Sequence, residues 1–211
     1  MAQPGLSEQL PSLEEMRGML PQLTEHIKAN PNDAKSLCGR AFINQRLGNI
    51  QNCIEDCNQA ITADPTMAEA YNFRFVAYMQ LKNYPQALKD ANDVIRLKGD
   101  AGSYCNRSAV YQALHQYNKA IPDLSKALQL DKNSAEAYDG LGEVAYRLAK
   151  YEQSIAYCNR ALFLDPHMSE ALYFRGKSYE ASGKKALAQK DLESARSAGY
   201  RPDETYIRMA K

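Results

Sequence analysis

The 211-residue sequence lacks most of what announces a chemistry. It has no excess of one charge: 26 Lys and Arg stand against 25 Asp and Glu, which leaves no general attraction to nucleic acid or to an anionic membrane. Its apolar runs are far shorter than a membrane span, so no membrane insertion is expected. Residues 1–25 carry acids and no apolar stretch of the signal-peptide kind, so a cytoplasmic protein is expected. The cysteines, Cys38, Cys53, Cys57, Cys105 and Cys158, are odd in number and include no CxxC pair, which fits a reducing compartment better than a disulfide framework. There is no P-loop, dinucleotide fingerprint or GxSxG. His26, His115 and His167 fall at unrelated positions and read as solvated surface. Cys53 and Cys57 are four apart on one helical face, but zinc would need two further ligands, so core packing is the better reading. No catalytic residue, metal or cofactor is expected, and the protein reads as a non-enzyme.

What the sequence does have is internal repetition. Pro31-Asn-Asp-Ala-Lys recurs 34 residues later as Pro65-Thr-Met-Ala-Glu, and Lys132-Asn-Ser-Ala-Glu and Pro166-His-Met-Ser-Glu keep the register. Each repeat then has Leu37, Tyr71, Tyr104, Tyr138 or Leu172 at one position, and Cys53, Ala87, Ala120, Ser154 or Ala188 sixteen residues on. Ala60, Val94, Ala127, Ala161 and Ala195 follow seven residues later. Apolar spacing within a repeat is helical, as in Ile121, Leu124 and Leu128. Turn signals such as Leu47-Gly-Asn and Ser182-Gly-Lys divide each repeat into two helices. Pro85 and Pro122 are expected in the first turn of a second helix, where an amide has no helical partner to lose. Small side chains at Ala41, Ser108, Gly142 and Gly176 let the two helices approach closely, and the apolar face left over on each hairpin requires stacking on a neighbour.

This pattern resembles the tetratricopeptide repeat over residues 34–202. The resemblance implies an all-α, right-handed solenoid of stacked antiparallel helix-turn-helix hairpins. The repeats are read as 34–67, 68–100, 101–134, 135–168 and 169–202. Tyr or Leu replaces the family's Trp at the fourth position. Phe75 stands where the other repeats have small residues, and the second repeat is one residue short near Lys98-Gly99-Asp100, so a local change of curvature is expected there. Residues 11–30 are expected to form an N-terminal capping helix, with Ser12 and Glu15 at capping-box spacing. Residues 203–211 are expected to be a short C-terminal cap, and residues 1–10 mobile.

In this family the first helices line an inner groove that holds partners. Carried over position by position, the resemblance implies a groove with an apolar end (Phe42, Arg46, Phe73, Val76, Met79) and an acidic, aromatic end (Glu136, Asp139, Glu143, Tyr146, Glu170, Tyr173, Phe174), with Asn106 between. Other Asp and Glu residues read as a solvated face. Co-chaperones of the family grip a terminal carboxylate with Lys, Asn and Arg. Asn106 matches the central asparagine of that clamp, but Asn72, Val76, Glu136 and Gly140 stand where its other members belong, so a carboxylate would meet acid. The expected function is an adaptor or scaffold binding a peptide or helical segment of apolar and basic character. The alternative is a self-assembling or regulatory subunit that uses its groove or repeat ends.

Overall fold

The computed structural model describes residues 10–201, which form eleven helices and no strand. The expected mobile N-terminus up to residue 9 and the cap at 203–211 lie outside the described residues. Two compact units meet between Ala77 and Tyr78, inside helix α4. The N-terminal unit holds α1 (Leu13–Ala29), α2 (Ala34–Arg46), α3 (Ile50–Ala63) and most of α4 (Ala68–Gln80). The C-terminal unit continues with α5 (Tyr84–Leu97), α6 (Ala101–Ala113), α7 (Tyr117–Leu130), α8 (Ala135–Arg147), α9 (Tyr151–Leu164), α10 (Ser169–Ala181) and α11 (Lys185–Ser197).

The helices start and stop where local chemistry satisfies their free backbone groups. Ser12 and Glu15 close a reciprocal capping box on α1, at 2.7 and 3.2 Å. Asp33, Asp100 and Ser134 cap α2, α6 and α8 with side-chain oxygens. Each first helix ends in a residue with positive φ: Gly48, Lys82, His115, Ala149 and Gly183. The amide that follows reaches back to the last turn, as Lys150 N donates to Ala145 O at 2.8 Å. At the short repeat, three residues link α5 to α6 where four link α3 to α4. Gly99 takes φ +61 there, and Asp100 goes straight on to cap α6. One expectation is corrected. Pro122 is the sixth residue of α7, beyond the first turn. Its ring removes a bond to the Asn118 carbonyl, and the exposure of Pro122 leaves that carbonyl within reach of water.

In the C-terminal unit α6, α8 and α10 pack side by side, and α7 meets α8 as α9 meets α10. Hairpins close where side chains are small: a Cβ on Gly142 would lie 2.5 Å from Cys158 Sγ, and one on Gly176 would lie 2.9 Å from Leu192 Cγ. One core gathers Cys105, Leu124, Leu141 and Val144, and another gathers Cys158, Ala161 and Phe174. In the N-terminal unit α1 packs on α2 and α2 on α3, around Ile27, Leu37, Cys38, Ala60 and Ala70.

A charged brace recurs through both units. Arg107 forks onto Asp123 (2.6 and 2.8 Å) and Arg175 onto Asp191 (2.6 and 2.8 Å), and Arg40 binds Asp56 at 2.7 Å. The spare Nη1 of Arg107 donates to Asn92, and that of Arg175 to Asn159, each on the preceding second helix. Asp56, Asp123 and Asp191 are therefore buried, not members of a solvated face. A carboxylate in this position is tolerated because a rigid guanidinium fork matches both of its oxygens.

Candidate partner-binding site

Of the groove residues read from the sequence, Phe42, Arg46, Phe73 and Val76 lie in the N-terminal unit, and Met79 falls with the others in the C-terminal unit. In the N-terminal unit, Phe42 of α2 and Phe73 of α4 bring their rings within 5.5 Å at a tilt of 45°, both half-buried. Arg46, one turn beyond Phe42, is exposed. Val76 and Met79 do not lie open as expected: they are 4% and 6% exposed, and their apolar area is already removed from water.

In the C-terminal unit the acids and aromatics gather on α8 and α10. Tyr146 and Phe174 are 5.8 Å apart between centroids, Tyr173 and Phe174 5.2 Å, and the Arg147 guanidinium lies 5.6 Å from the Phe174 ring centre. Arg147 also donates to Glu143 Oε1, at 3.3 and 3.4 Å. Burial pushes the Glu143 carboxyl above the usual range; Arg147 opposes this and the nearby charge of Glu170 adds to it. Asn106 and Glu136 are half-buried on α6 and α8. Three placements differ from the expected open groove. Asp139 is fully buried, Glu170 is 8% exposed with a hydrogen bond from Ser169 at 2.9 Å, and Phe174 is 2% exposed in the core. For Asp139 the cause is its helix: α8 is flanked by α6, α7, α9 and α10 and has little perimeter left for water.

One member of the cluster escaped the sequence reading. Tyr200, in the chain that leaves α11, stacks on Tyr173 with centroids 4.5 Å apart. Burial raises its hydroxyl pKa, helped by the charge of Glu143, the Tyr173 hydroxyl and Glu170. The available signal was an exception in the repeat, since Tyr200 stands where earlier repeats have Pro65 and Pro166.

The cysteines and histidines are dispersed into structural roles. All five thiols are free and buried, and burial pushes Cys38 up to about 11 and Cys158 to about 12, which keeps both protonated. His26 pairs with Asp33 at 3.1 Å and His115 meets the Tyr117 hydroxyl at 2.8 Å. Among the described residues, no group of three His, Cys, Asp or Glu is arranged to hold a metal, and no helix is long and apolar enough to cross a membrane.

Sequence patterns of the tetratricopeptide repeat family match residues 34–67 and 109–169. Solved structures of the family share the fold, among them YrrB, a TPR protein with an unusual peptide-binding site (TM-score 0.61, 21% identity, 86% of this chain and 93% of that one). The chain is a tetratricopeptide-repeat protein. This repeat protein also superposes on a chain of the APC/C hetero-tetramer Cut9-Hcn1 with a TM-score of 0.80 at 15% identity, over 88% of its own length and 37% of the other. Among curated relatives it is 27% identical, over 86% of its length, to the Hsp70-Hsp90 organizing protein of Triticum aestivum, and it spans 30% of that protein.

Proposed function

We propose that this tetratricopeptide-repeat protein is a non-enzymatic adaptor that holds a peptide or helical segment of a partner protein against its first helices. The observation that carries the reading is the clustering of side chains on α8 and α10, where Glu143, Tyr146 and Tyr173 are only partly buried beside the nearly buried Glu170. The half-buried Phe42 and Phe73 supply a second, apolar contact in the N-terminal unit. Apolar character in the partner suits the patch of the N-terminal unit, and basic character suits that of the C-terminal unit. Five reduced, buried thiols suit a reducing compartment, and residence in the cytoplasm is part of the proposal.

The wheat relative's name points to heat-shock proteins, but the carboxylate clamp by which the family's co-chaperones hold them is not supported here. Asn72, Val76, Glu136 and Gly140 occupy the clamp positions around Asn106, and Val76 is buried. Two measurements test the reading. Affinity capture from the source cell, with the Phe42→Ala/Phe73→Ala variant as control, should recover a partner that the variant loses. Calorimetry with a peptide ending in two carboxylates should show no micromolar binding. Partner capture equal in both proteins would remove the groove from the proposal, and light scattering that shows a concentration-dependent oligomer would move it to self-assembly.

A further inference from the structure

Arg147 is held differently from the bracing arginines of the C-terminal unit. Arg107 and Arg175 present a two-pronged fork to their carboxylates at 2.6–2.8 Å, with the third nitrogen tied to an asparagine. Arg147 touches a single oxygen of Glu143 at 3.3 and 3.4 Å, and 44% of its side chain is exposed. Long, one-oxygen contacts on a partly exposed arginine contribute little and are easily exchanged. Yet the guanidinium is seated beside a carboxylate and over the ring of Phe174, at 5.6 Å.

We propose that this cluster is a seat for one arginine side chain of a partner segment, which Arg147 occupies as a stand-in until the partner arrives. The inference rests on the groove reading above and specifies the residue that the acidic end recognises. Acids alone would not make a site. The chain's own guanidinium, already between acid and ring, shows which group the cluster takes. Arg147 sits four residues after Glu143 on the same helix and, among the described residues, meets that carboxylate alone. An arginine entering from outside is free of that tether. It stacks on the half-buried ring of Tyr146 and pairs with Glu143 on α8, with the nearby charge of Glu170 on α10 adding to the attraction. A planar fork that stacks and pairs at once favours arginine over lysine, whose compact ammonium pairs without stacking. The displaced Arg147 moves into solvent, where much of it already lies.

The probe is a capped, fluorescently labelled Leu-Arg-Leu-Arg-Leu-Arg peptide, followed by anisotropy at low salt beside two counterparts in which lysine or uncharged citrulline replaces arginine. The arginine peptide should bind, with citrulline costing roughly tenfold or more and lysine less. Glu143→Gln/Glu170→Gln should weaken binding by at least about tenfold, a loss of ~1.4 kcal/mol or more. Arg147→Ala removes the stand-in and should tighten the arginine peptide several-fold more than the lysine peptide, a difference that a general negative field does not produce, since losing a positive charge from a diffuse patch strengthens both peptides alike; equal tightening of the two overturns the seat. Arginine binding unchanged or weakened in Arg147→Ala overturns the seat, as does equal binding of the citrulline peptide. If the seat fails while Phe42→Ala/Phe73→Ala still abolishes binding of the peptide, the groove reading stands without it. If no variant affects binding, both fall.

Discussion

In the α6–α7 and α10–α11 hairpins a guanidinium on the first helix is bolted to a carboxylate on the second, whereas in α8–α9, between them, the same two positions are Leu141 and Tyr157. Leu141 joins the core of Cys105, Leu124 and Val144, and Tyr157 packs against it. Both chemistries close a hairpin at the same place in the same fold. The difference teaches that the Arg–Asp brace does not define the repeat: a buried ion pair and a well-packed apolar pair are near-equivalent fillings of one space, because the pair's attraction is largely offset by desolvation. The equivalence holds only for whole pairs. Half a pair leaves a charge without its counterion.

The largest effect should follow from breaking one brace. Asp123→Ala leaves Arg107 facing a vacated site and should destabilise the protein by about 3–5 kcal/mol in urea denaturation, the usual cost of a broken buried pair. Arg107→Leu/Asp123→Tyr, which copies the α8–α9 pairing, should recover most of that loss. A cost below ~1 kcal/mol for Asp123→Ala would mean that the brace is decoration.

Next in size is the close approach that the apolar hairpin uses. A methyl group at Gly142 would sit 2.5 Å from Cys158 Sγ, so Gly142→Ala should cost about 1–3 kcal/mol through overpacking. Cys158→Ala removes the obstructing sulfur, and in that background the cost of Gly142→Ala should shrink. Additive effects of the two substitutions in thermal melts would refute the contact as the cause.

These two devices were unequally visible in the sequence. Gly142 and Gly176 were legible, because a small residue recurring at one repeat position has a single mechanical reading, close helix approach. The hairpins and their turns followed from the same periodicity. The brace was also written there, as Arg and Asp sixteen residues apart at 40 and 56, 74 and 90, 107 and 123, and 175 and 191. It reads as ordinary surface charge until antiparallel helices bring the ends of that interval together. The site was legible in residue type and hidden in exposure. Helical spacing gives the side of a helix but not how many neighbours crowd it, so Asp139 and Glu170 came out buried. Tyr200 was missed because the groove was sought only on first helices.

A third comparison sits in the turns. His115 and Ala149 close α6 and α8 at φ +57, a conformation that Gly183 takes after α10 without crowding a Cβ. Ala149→Gly should stabilise the protein by ~1 kcal/mol, and Gly183→Ala should cost about as much. Opposite signs in matched thermal melts are the expected result. The same sign for both would mean that the turn tolerates a side chain equally in the two hairpins.

The smallest expected effect distinguishes the braced carboxylates from Glu143, which sets the loose contact of Arg147 against its burial. Its carboxyl pKa is raised in the folded protein, so the fold favours the protonated form. Stability linked to this group is therefore fully present below the ordinary glutamate range and is lost as the pH rises through the elevated folded value. At neutral pH an ionised Glu143 is a small burden on the fold. Glu143→Gln keeps the shape of the protonated acid and should be more stable than the parent at pH 7, by under ~1 kcal/mol because Arg147 is partly exposed and already offsets some of the penalty. The advantage should vanish near pH 3, where the parent is protonated as well. Urea midpoints for the two proteins should therefore converge on acidification. A Gln variant less stable than the parent at pH 7 would show that the Arg147 contact outweighs burial, and the carboxylate would then belong with the braces.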